Sequence, residues 1–169
     1  LLTSQISALT TDQVKSGLAT DELVALTTAQ VAVLATNQLQ ALSTDQLKSM
    51  ETRDIAALKT NQIAALTTDQ VKNALTTSQI AGMTTSQIGA FTTDQVKNAL
   101  TTSQLVAMTS VQASALTTSQ LQALTTDQLK SMETSDIAAL KTNQIAALTT
   151  DQVKNALTTS QLVGLTSAQ

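Results

Sequence analysis

The chain has 169 residues, with nine Lys and Arg against twelve Asp and Glu and a formal net charge of -3, so it carries no basic surface for nucleic acid or anionic lipid. It has no Cys, His, Trp or Tyr, which removes disulfides, soft metal ligands, a His general base and a Tyr acid. No cofactor or metal is expected, and Thr and Gln interrupt every apolar stretch well short of a membrane span.

From the first residue onward an apolar side chain opens a new short unit: Leu1, Leu9, Leu18, Leu26, Leu34, Leu42, Met50, Leu58, Leu66, Leu75, Met83, Phe91, Leu100, Met108, Leu116, Leu124, Met132, Leu140, Leu148, Leu157 and Leu165. These 21 units of eight or nine residues account for every position, and such self-similarity is the mark of a repeat architecture with one core running its length. Residues 1–169 are therefore one continuous array. The start at Leu1 without Met and the stop within a unit are expected of a piece of a longer polypeptide.

Lettering the unit a to h, with Leu116 as a and Ala123 as h, position c is always Thr or Ser, e is Gln except at Glu22, Asp54 and Asp136, and f is always apolar. Position b accepts Leu2, Ala19, Ala35, Glu51, Lys59, Glu133 and Lys141. A continuous helix fails, because eight residues at about 100° each turn roughly 800° and the apolar stripe drifts around the surface. A strand fails because a, f and h do not alternate. One short helix per unit remains.

The invariance of c against the freedom of b predicts that c is the N-cap, at Thr11, Thr68, Thr77, Thr102, Thr118 and Thr150, with helix from d through a and the turn at b. Such a helix is too short to be stable alone, so stacking must supply the rest. The repeated neutral amide at e predicts a Gln ladder between adjacent coils, through Gln13, Gln70, Gln79, Gln104, Gln120 and Gln152, with Asp54 and Asp136 as local departures. Asp at d and Lys at g, as in Asp69 and Lys72, are expected to pair on a solvated face, and Glu51 and Lys59 at successive b positions to bridge if those turns lie side by side.

A longer period overlies the short one. Residues 42–79 and 124–161 are nearly identical, and nine-residue units begin at Leu9, Leu66, Phe91 and Leu148. The insertions either correct the phase of the winding or are carried along by duplication. The predicted fold is all-α, a solenoid of short capped helices with two or three helices per coil.

The run Leu-Thr-Thr-x-Gln-[Ile/Val/Leu]-x-Ala, seen at Leu75 to Gly82 and Leu116 to Ala123, resembles the tandem repeats of very large bacterial secreted and cell-surface proteins labelled adhesin-like, haemagglutinin or haem-utilisation. That resemblance implies an extracellular, non-enzymatic role. The expectation is a structural element of a filament, sheath or stalk whose partner is itself, by continued chain or a docked copy. The alternative is an adhesin arm or binding module for glycan, surface or ice, using rows of exposed b Thr. No residue here makes a good haem ligand, so the haem label does not transfer.

Overall fold

The computed structural model describes residues 2–167 and 169. Among them are 20 short helices and no strand. Each unit before Leu165 contributes one helix, running from c through h where it is complete, as in Thr118–Ala123. Positions a and b are extended: Leu124 has φ -59 and ψ 133, and Thr117 has φ -71 and ψ 160. Two extended residues in succession make the corner between helices, so none of the described residues needs a positive φ and neither Pro nor a regularly spaced Gly is required.

Three helices make one coil. After Thr93–Asn98, Thr102–Val106 and Ser110–Ala113 the chain returns, and Thr118–Ala123 packs on Thr93–Asn98. The same third-neighbour stacking places Thr126–Ser131 on Thr102–Val106 and Thr134–Ala138 on Ser110–Ala113. A helix of four to seven residues cannot hold itself together, so burial between coils supplies its stability. The f and a side chains form one continuous core, where Leu121, Leu129 and Ile137 at f are wholly buried and Leu116, Leu124 and Met132 at a nearly so; in the last coil Val153 and Leu162 at f are exposed. The a residue is thus a corner residue, not the last of the helix, and its N–H donates to the f carbonyl, as Leu124 does to Leu121 at 3.2 Å.

The nine-residue units keep the coil at three helices by widening one turn. Leu75 N–H donates to Gln70 C=O at 3.1 Å, Leu100 to Gln95 at 2.9 Å and Leu157 to Gln152 at 3.1 Å, each five residues back, and Ala74, Ala99 and Ala156 are buried. This is the local signature of a single inserted residue in a helix. The inserted Asn also takes the role expected of Lys: Asn73, Asn98 and Asn155 donate to Asp69, Asp94 and Asp151 at 2.6–2.7 Å. Among the described residues no Asp at d pairs with Lys at g. Glu51 and Lys59 do not bridge either, because successive units lie on successive sides of the coil, and Glu51 instead pairs with Arg53 at 2.6 Å.

Candidate functional site

The feature that recurs at every corner is the environment of the e side chain. Gln120 sits on the third residue of its helix and is 2% exposed. Its Oε1 accepts the N–H of Thr117 at 2.7 Å, and its own backbone N–H donates to Thr117 Oγ1 at 3.2 Å. The Nε2 then donates to the carbonyls of Ile88 at 3.0 Å and Phe91 at 2.6 Å, in the corner of the coil beneath. One amide therefore satisfies a helix N-terminus above and a helix C-terminus below, both of which the short helices leave unpaired.

The same rung recurs along the array above the first coil, except at two Asp positions. Gln70 reaches Leu39 and Leu42, Gln79 reaches Leu47 and Met50, Gln104 reaches Val71 and Leu75, and Gln152 reaches Leu121 and Leu124. Gln13 differs: it accepts from Thr10 at 2.8 Å but is exposed, since it lies in the first coil and has no corner beneath it.

The N-cap is b, not c. Thr10, Thr67, Thr76, Thr101, Thr117 and Thr149 accept the N–H of the e residue at 3.1–3.2 Å. Thr11, Thr77, Thr102 and Thr118 are first helical residues, and Thr68 and Thr150 are likewise helical. The freedom of b has a physical cause. The stronger half of the box runs from the b backbone N–H to the Gln side chain, as at Ala35 and Lys59 at 2.7 and 2.6 Å, so it is indifferent to the b side chain. In the two Asp units c touches the coil above: a Cβ on Gly82 would fall 2.0 Å from Thr52 Cγ2, and one on Gly164 2.7 Å from Thr134 Cγ2. There the c methyl lies under h, which is Gly in both places.

Two rungs are broken. Asp54 and Asp136 are 0% and 2% exposed, yet neither oxygen of Asp54 nor Oδ2 of Asp136 has a hydrogen-bond partner. Ser110 Oγ donates to Asp136 Oδ1 at 2.7 Å. Burial pushes both carboxyls above the ordinary carboxylate range; Arg53 opposes this at Asp54, and the Ser110 hydrogen bond opposes it at Asp136.

The surface offers little that resembles a catalytic centre. Two open grooves of about 470 and 310 Å³ are equivalent across the long period, the first lined by Lys15, Ser43, Thr67 and Asp69 and the second by Lys97, Thr125, Thr149 and Asp151. Neither brings a nucleophile onto a base. Among the described residues no three His, Cys, Asp or Glu side chains gather as a metal site, and no helix is long and apolar enough to cross a membrane.

Residues 25–30 read Ala-Leu-Thr-Thr-Ala-Gln, positions h through e, and so spell out one corner and its rung. Matches to the ALTTAQ repeat family span residues 16–52, 47–72, 73–98 and 129–167, more than half of the sequence. The chain belongs to the ALTTAQ repeat family. No curated protein matches it. The match describes a repeat and carries no adhesin, haemagglutinin or haem label. In structural terms the ALTTAQ unit is one helix, one corner and one inter-coil amide.

Proposed function

We propose that this ALTTAQ array is a non-enzymatic structural rod, part of an extracellular bacterial filament, sheath or surface stalk that extends by stacking coils on coils. The observation that supports the reading is the polarity of the rung: Gln120 donates from the coil above, and Ile88 and Phe91 accept from the coil below. Every coil presents donors on one face and acceptors on the other, so a further coil adds by the same bonds whether it comes from the same chain or from another copy. Self-association is thus a heterologous contact that propagates. The b hydroxyls of a Thr-faced binding module are engaged by their own helices, as Thr117 is by Gln120, which favours the structural reading over the binding arm. In the first unit Leu2 is exposed and Ile6 is buried, and Leu1 lies outside the described residues.

Electron microscopy of the native, uncut protein, together with antibody labelling of intact cells, tests this. Unbranched rods of uniform width on the cell surface are expected. Compact particles confined within the cell would overturn it.

A further inference from the structure

The carbonyl pairs that receive a Gln amide run in order along the chain, and two are passed over. Gln46 takes Val14 and Leu18, and Gln62 takes Ala32 and Leu34, leaving Leu23 and Leu26 to the rung of Asp54. Likewise Gln128 takes Val96 and Leu100, and Gln144 takes Ser114 and Leu116, leaving Leu105 and Met108 to the rung of Asp136. Asp is shorter than Gln by one methylene and has no N–H. Each broken rung therefore gathers a buried carboxylate and two backbone carbonyls, all acceptors, where its neighbours hold a donor. A single water has only two protons to share among them. A buried carboxylate left in this state is strongly disfavoured.

We propose that each Asp rung, at Asp54 and at Asp136, binds one hard monovalent cation such as K⁺ or Na⁺ between the carboxylate and the passed-over carbonyl pair. The chemistry is oxygen-only, which suits alkali and alkaline-earth ions, and the single carboxylate balances one positive charge, not two. Size points the same way. In the rungs just before the two Asp units, Gln46 and Gln128 hold Nε2 at 2.6–3.0 Å from both carbonyls. An ion at the equivalent place in an Asp rung would face the corresponding two oxygens, in the manner of carbonyl-lined cation sites. Arg53 stands beside the first site and Ser110 occupies one oxygen of the second, so the two differ in affinity.

The test is thermal melting of the whole chain at pH 7.5 and fixed ionic strength, exchanging tetramethylammonium chloride for KCl or NaCl. A saturable rise in melting temperature with K⁺ or Na⁺ is expected, following the mass action of a ligand that binds only the folded state. Asp54→Gln with Asp136→Gln supplies the missing amides and should abolish the cation response while keeping the fold. Crystals grown with Tl⁺ should show an anomalous peak at each rung. Equal melting in all salts, or a cation response that persists in the double Gln variant, overturns the proposal. So does an absence of any K⁺ or Na⁺ response at pH 7.5 in a chain that acid stabilises, which would make the occupant a proton.

Discussion

Gln120 reaches back 29 residues to hydrogen-bond the carbonyl of Phe91 at 2.6 Å while holding the N–H of its own N-cap, Thr117, at 2.7 Å. Gln120→Glu keeps the acceptor that serves Thr117 and loses both donors, placing an ionised oxygen against two carbonyls. Gln120→Leu loses all three bonds. Each variant should lower stability by about 1–3 kcal/mol in urea melts. Glu22 shows what Glu can do: it accepts from Ala19 N–H at 2.8 Å and is exposed, in the first coil, where no amide donor is needed.

The cap gives a contrast between positions b and c. Thr117→Ala removes a hydroxyl that accepts Gln120 N–H and should cost about 0.5–1 kcal/mol, the low end for a cap because the Gln half of the box remains. Thr52→Val keeps the methyl that underlies Gly82 and removes only a hydroxyl, so it should be close to neutral, within about 0.5 kcal/mol. Chemical denaturation of the two variants decides; a larger loss from Thr52→Val would return the capping role to position c.

Asp54 and Asp136 set the pH dependence. Their carboxyl pKa values are raised in the folded state by burial, so the fold binds protons that the unfolded chain does not. Stability should therefore rise as pH falls through the raised folded values and level off near the unfolded value of 3.8. Urea melts from pH 7 to 4 in tetramethylammonium chloride at constant ionic strength, where no alkali cation competes with the proton, measure it, and Asp54→Asn with Asp136→Asn should flatten the slope.

The nine-residue units should tolerate loss of their extra residue. Deleting Asn73 restores the eight-residue template and closes the wide turn at Gln70, removing an exposed side chain whose partner is the exposed Asp69. The cost should be small, under about 1 kcal/mol. Deleting Gln122 from an eight-residue unit leaves seven and pulls Leu124 out of the core, which should cost several times more, about 2–5 kcal/mol. Melting curves of the two deletions make the comparison.

The short period, the apolar f and a positions and the one-helix unit were all legible because each is written into every copy. What failed was the boundary. Thr117 and Thr118 are adjacent, and the sequence constrains c more tightly than b, yet it is the b residue that caps the helix. The box itself tolerates Lys59 or Ala35 because it engages their backbone. Surface charge misled in the same way: Asp69 has Lys72 three residues on, yet its partner is Asn73, four residues on, which the wide turn brings round. The number of helices per coil has no local signal at all, since it depends on which carbonyls, some 30 residues back, a Gln meets.

That register is the centre of the account, and nuclear Overhauser contacts from the Gln120 side-chain amide protons read it directly. Three helices per coil and a rung across the corner place those protons beside Ile88 and Phe91, 32 and 29 residues back, with slow exchange against water. Contacts about two units back, near residue 104, or contacts confined to the Thr118–Ala123 helix with fast exchange, would contradict both the winding and the ladder.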